Sequence, residues 1–376
     1  MLFRSPVRRS IDYANPLSGD VVNISEGSEY SVRFNKNGLR GKAVPYDKAD
    51  NEIRILALGN SCVFGFGVGE DEVFSSELEK LLQRRFPRKK ITVINGGMPG
   101  FSSFNSLNML GAAGMKYKPD VLIAYILNND KALELREDMP LLKLRFIRLN
   151  WVLAQSGLFN LIREMISADS LPVPEMKRGK QTLRPKVSPE DYERNLSFLS
   201  DISRRFGMKL YYVIPLTPDD IIKDAAELEK FIYDNAEKEM IKALLGKKRL
   251  LIRETGMREL GRDAARWGQT GADFEKILKE MTDKRLAESG AEAEEKKKNI
   301  SYYKRYNLFT RQYRSIMKKV AASEKAALLD LPDIIGREPG LRPMEFFLDE
   351  IHPSAYGHRI IAEQLFKRIA SDLEGR

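Results

Sequence analysis

The chain has 376 residues, 43% of them apolar and 31% charged, a mixture too apolar for a disordered chain and sufficient for one large domain or two small ones. Its longest apolar runs, such as Val121 to Leu127, fall far short of the roughly 20 residues that a membrane-spanning helix needs. One cysteine and two histidines exclude an internal disulfide and a Cys/His zinc cluster, and the net charge of +10 is spread over short clusters rather than one tail.

The opening MLFRSPVRRS is basic, but no apolar run follows it. No secretory signal is visible, and a cytoplasmic location is the expectation. Residues 1–50 are turn-rich, with a short strand candidate at Tyr30 to Phe34, and read as an N-terminal extension laid on a core of residues 51–376. Ile53 to Leu58 reads as a buried strand, followed by a helix around Asp71 to Phe86. Arg84, Arg85, Arg88, Lys89 and Lys90 form a basic cluster there. Ile91 to Ile94 is the next strand, with a helix around Phe104 to Met115, and Val121 to Ile126 is the third. A helix from about Pro189 to Phe206 leads into a strand at Lys209 to Ile214. A fifth strand at Ala326 to Leu329 precedes a helix from about Ser354 to Leu373. Strands alternating with helices imply right-handed crossovers and a parallel sheet covered on both faces, a three-layer α/β/α sandwich.

Two insertions interrupt this rhythm. Residues 131–187 contain the apolar, basic stretch Met139 to Ile166, which reads either as a lid or wall over the Ser61 pocket or as core packing. Residues 219–312 are rich in Glu, Lys, Ala and Leu without a strand signal, and Gly246, Gly256, Gly261, Gly268 and Gly271 divide them into several expected helices. This segment carries two basic clusters, Lys247 to Arg249 and Lys296 to Lys298. It is expected to meet a peripheral anionic surface, a polymer or a second copy of this chain, unless it is a solvated decoration. No nucleic-acid motif accompanies the charge, so nucleic acid is not an expected partner.

The first strand ends in Gly59-Asn60-Ser61-Cys62, which places a hydroxyl on the ligand-binding edge of a parallel sheet. The nearby Gly65, Gly67 and Gly69 fit no nucleotide fingerprint, because Glu70 stands where a dinucleotide motif needs a small residue and no P-loop lysine follows. Val63 likewise breaks the α/β-hydrolase elbow. The second strand runs into Asn95-Gly96-Gly97-Met98-Pro99-Gly100-Phe101-Ser102, a loop that can present backbone N–H groups or serve as a plain turn. The third ends in Leu127-Asn128-Asn129-Asp130, readable also as helix capping. Before the last helix stands Asp349-Glu350-Ile351-His352-Pro353, where a carboxylate three residues from an imidazole can fix its tautomer. His358, inside that helix, has no comparable partner in sequence and reads as a surface residue. Each signal is weak alone. Together they bring a hydroxyl, a base with its orienter and several N–H donors to one sheet edge, the set that acyl transfer requires.

The order ILALGNS, INGGMPGFS, ILNND and DEIHP resembles the SGNH (GDSL-type) hydrolase superfamily, and Asn37 to Gly41 with Phe64 to Val68 are similar to its bacterial members. The resemblance spans residues 35–130, 188–216 and 313–372 and leaves both insertions outside it. It implies an SGNH/flavodoxin-like sandwich with a five-stranded parallel sheet and a serine esterase or deacylase acting on a small-molecule or polymeric ester, without cofactor or metal. It further implies Ser61 as nucleophile, His352 as base oriented by Asp349, and an oxyanion hole of the Ser61 N–H, the Gly100 N–H and the Asn129 amide. An acylated carbohydrate or lipid is the expected substrate class. An O-acyltransferase on a polysaccharide, and a carbohydrate- or polymer-binding protein that keeps the fold, stand as alternatives. Asn60 replaces the family's usual aspartate, and Leu127 its usual glycine.

Overall fold

Five largely apolar strands assemble into one parallel sheet. They are β1 (Glu52–Gly59), β2 (Lys90–Gly97), β3 (Val121–Tyr125), β4 (Lys209–Ile214) and β5 (Ala327–Asp330), in the order β2-β1-β3-β4-β5. The structure, a computed structural model, describes residues 21–23, 31–35, 37–134, 184–232, 303–304, 307–335 and 343–374. The chain leaves β1 in one direction and returns past it to β3, so the topological switch point lies between those two strands. Ligands of doubly wound sheets bind outside the carboxyl ends of such strands.

Alternate residues of β1 feed two separate cores. Ile55 and Ala57 join one, Leu56 and Leu58 the other, which is why the strand reads as a continuous apolar run rather than an alternation. The first core is closed by α2 (Phe74–Arg85) and the C-terminal α6 (Ala355–Glu374), through Phe74, Leu78 and Leu82 against Ile361, Leu365 and Ile369. The second lies under α3 (Ser103–Ala112), α4 (Pro189–Arg205) and α5 (Thr310–Ser323), which contribute Leu110, Leu196 and Met317 among others. Each fully buried aliphatic side chain contributes roughly 1.5–3 kcal/mol. Two buried tyrosines brace the second core through their hydroxyls: Tyr192 donates to the Ile126 carbonyl at 2.8 Å and Tyr212 to the Leu196 carbonyl at 2.6 Å. The three-layer sandwich read from the sequence is the fold observed.

Details differ. The expected helix over 104–115 ends at Ala112 and continues as a separate turn at Gly114–Tyr117. Helix α5 was not expected, because its start merges with the charged segment before it. Val21–Asn23 pairs antiparallel with Ser31–Arg33, and Val32 and Phe34 lie against Phe64. The fully buried Arg54 of β1 donates to the Tyr46, Asp47 and Tyr117 carbonyls and to Glu52, so it ties residues 46–47 to the sheet. Met139 to Ile166 and residues 233–302 lie outside the described residues. Among the described residues, no helix is long and apolar enough to cross a membrane.

Candidate active site

Ser61 is the first residue of α1 (Ser61–Phe64), a single helical turn set directly on the end of β1. Asn60 caps it, its side-chain oxygen accepting the Cys62 N–H at 2.9 Å. The turn sits hard against β2. A Cβ added at Gly97 would lie 2.3 Å from the Phe64 nitrogen, so only glycine admits the helix at this height. The first N–H groups of a helix have no partner within it. Neither the Ser61 nor the Gly100 N–H bonds any described residue.

The turn before α6 brings His352 to Ser61. His352 Nε2 is 2.8 Å from Ser61 Oγ, and its Nδ1 is 2.6 Å from Asp349 Oδ2. The other Asp349 oxygen accepts the Ile351 and His352 backbone N–H groups, both at 2.7 Å. Burial raises the Asp349 carboxyl, but the His352 charge and these N–H bonds outweigh it and hold the group below its ordinary range. A carboxylate so held keeps Nδ1 protonated and leaves Nε2 to accept the serine proton. Histidine and carboxylate are largely buried, at 17% and 15% side-chain exposure.

The third strand supplies the rest. Asn129 Nδ2 donates to the Phe101 carbonyl at 3.0 Å, which links the β3 loop to the β2 loop and leaves the second amide hydrogen available. Lys186 Nζ bonds the Gly100 carbonyl at 2.9 Å. The buried Asp130 accepts the Ser103 N–H at 2.8 Å, so the capping reading of this loop holds in part: Asp130 serves the start of α3 rather than a helix after β3. Leu127 is fully buried in the second core.

Three features of the site escaped sequence reasoning. Cys62 is fully buried beside Ser61; its Sγ accepts from Asn128 at 3.7 Å and lies 3.5 Å from the Ile351 carbonyl. It thus joins the β1 turn, the β3 loop and the histidine turn. Burial pushes its thiol up to about 12, so it stays protonated at neutral pH. Lys131, two residues beyond Asn129, is fully buried and reaches Asn307 Oδ1 at 2.9 Å. Burial, then the neighbouring Arg314, lowers its ammonium to about 7. Arg40, from the Asn37 to Gly41 stretch, donates to the Phe64, Gly65 and Val68 carbonyls. None of these long-range contacts leaves a local pattern.

The reading of His358 as a surface residue is overturned. Its ring is fully buried and stacked on Phe74 at 6.0 Å. The Phe74 N–H donates to its Nδ1 at 3.3 Å, and burial lowers it to about 3. The inward-facing side of α6 at this position, not the absence of a charged neighbour, decides its environment. Among the described residues no group of three His, Cys, Asp or Glu side chains is placed to hold a metal ion.

No protein-family model matches the chain, and no curated protein matches it. Among solved structures it is similar to LAE5, an α/β hydrolase enzyme from the metagenome of Lake Arreo, with 15% identity, 86% of this chain and 96% of that one covered, and a TM-score of 0.43. It is also similar to a lipase/acylhydrolase from Enterococcus faecalis, at 13% identity, coverage of 85% and 96%, and a TM-score of 0.41. An acetylxylan esterase from Geobacillus stearothermophilus gives 14% identity, coverage of 84% and 94%, and a TM-score of 0.42. Function is therefore read from the side chains around Ser61.

Proposed function

We propose that the protein is a serine ester hydrolase of SGNH type that works through an acyl-enzyme. The observation that carries this reading is the continuous chain Ser61–His352–Asp349, with contacts of 2.8 and 2.6 Å. His352 Nε2 takes the Ser61 proton as Oγ attacks the ester carbonyl. The developing oxyanion meets the Ser61 N–H, the Gly100 N–H and the Asn129 amide, donors fixed before the reaction begins. The imidazolium then protonates the departing alcohol, and water attacks the acyl-enzyme by the same base in reverse. Asp349 stabilises the imidazolium without taking its proton. Asn60 supports this reading as well as the usual aspartate does, because its oxygen caps the nucleophile's helix.

Stopped-flow hydrolysis of p-nitrophenyl acetate tests the proposal. The expected result is turnover with an acetyl group trapped on the Ser61 peptide by acid quench. Release no faster in the wild type than in Ser61→Ala overturns it. Adding an acylated polysaccharide and a free sugar hydroxyl acceptor separates hydrolase from transferase, according to where the acyl group goes.

A further inference from the structure

Behind Ser61 the chain makes a tight loop, Gly65-Phe66-Gly67, that the proposed chemistry leaves without a role. Both glycines adopt left-handed backbone, with φ of +84° and +85°. The Gly65 and Phe66 N–H groups both bond the Ser61 carbonyl at 3.0 Å. Arg40 clamps the loop from below through the Phe64, Gly65 and Val68 carbonyls, at 2.9, 2.5 and 2.6 Å. From above, a Cβ on Gly67 would lie 2.4 Å from Leu348. Leu348 in turn donates its N–H to the His352 carbonyl at 2.8 Å. The loop is thus pinned both to the nucleophile and to the turn that carries the base. What it holds in place is the Phe66 ring, centred 4.9 Å from the His352 imidazole and tilted by 38°.

We propose that Phe66 is a positioning residue for His352: its ring steadies the imidazole and stabilises the imidazolium that forms as Ser61 loses its proton. An aromatic face within about 6 Å of a cation attracts it through the ring quadrupole. The neutral imidazole gains less than the imidazolium does, so the contact favours the transition state over the ground state. The proposal rests on the esterase reading, and two measurements separate the fates of the two. Among the described residues, Asp349 meets His352 at Nδ1 and Ser61 at Nε2, and His358 lies within electrostatic reach. All three are kept in every variant.

Phe66→Leu retains apolar bulk but removes the quadrupole, whereas Phe66→Tyr retains both. The first measurement is p-nitrophenyl ester hydrolysis. Phe66→Leu should lower kcat by about 2- to 5-fold with KM unchanged, and Phe66→Tyr should restore it. The second is proton NMR titration of the two histidine rings, in which His358 stays neutral down to about pH 3 and leaves His352 as the ring that moves. Its midpoint should fall in Phe66→Leu and not in Phe66→Tyr. An unchanged midpoint in Phe66→Leu overturns the proposal whatever turnover does, and so does an equal loss of kcat in both variants. A change confined to KM would assign Phe66 to substrate contact instead. A midpoint that falls in Phe66→Leu, together with a wild type that hydrolyses no ester, would sink the esterase reading and leave the ring contact standing.

Discussion

His352 and His358 stand close together in sequence, and each lies beside a phenylalanine ring. Their chemistry diverges because of what meets Nδ1. At His352 a carboxylate oxygen faces it, so Nδ1 carries the proton and Nε2 accepts from Ser61. At His358 a backbone N–H faces it, so Nδ1 accepts and the proton sits on Nε2. The second ring is fully buried and stays neutral, while the first keeps 17% of its side chain exposed. In the proposed mechanism a histidine serves as base through a carboxylate on the far nitrogen and a serine hydroxyl on the near one. Burial alone makes it a core residue.

The most severe way to break the contrast is to remove the active pair. Ser61→Ala or His352→Ala should lower kcat for p-nitrophenyl acetate by about 10⁶-fold, and the double variant little further, since the two act as one unit. His358→Leu should leave kcat within a few-fold in the same assay. Asp349→Asn tests the tautomer directly. An amide N–H facing Nδ1 would give His352 the tautomer of His358, and kcat should fall by about 10⁴-fold with the fold intact by circular dichroism. Asn129→Ala removes one preorganised donor and should cost about 10²- to 10³-fold in kcat with little change in KM.

The quiet histidine should show itself in stability. Its folded-state value is lowered from 6.5 to about 3, so the unfolded chain takes up a proton below pH 6.5 that the folded chain refuses. Stability therefore falls as pH drops from 6.5 toward 3, by about 3 kcal/mol at pH 4 from this group. Urea unfolding at pH 7 and pH 4 should show a smaller acid loss in His358→Leu than in the wild type. At pH 7 the variant should be less stable by about 1–3 kcal/mol, because the Phe74 N–H loses its acceptor. The smallest effect belongs to the cap. Asn60→Asp should change stability by only a few tenths of a kcal/mol, since the two residues cap nearly equally, while Asn60→Ala should cost about 1 kcal/mol.

The fold was legible because both faces of the sheet are covered, so β1, β3 and β4 are nearly uninterrupted apolar runs bounded by turn residues. Ser61, Gly100, Asn129 and the Asp349–His352 turn could be brought to one edge from chain order alone, because parallel strands end on the same side. The supports of the site were not legible. Cys62 meets Asn128 and Ile351, Arg40 meets the Phe64–Val68 loop, and Lys131 meets Asn307, all across long stretches of chain. The environment of His358 depends on which side of α6 turns inward, and a histidine between a glycine and an arginine gives no periodic sign of that. Nor does the Lys- and Glu-rich run before α5 mark where the helix begins.

The most direct test of the account is labelling with a fluorophosphonate, which reacts quickly only with an activated serine. The wild type should form a stable adduct on the peptide that contains Ser61. Labelling should disappear in Ser61→Ala and slow by orders of magnitude in His352→Ala, while His358→Leu labels like the wild type. A wild type that does not label, or that labels equally well without His352, would contradict the account.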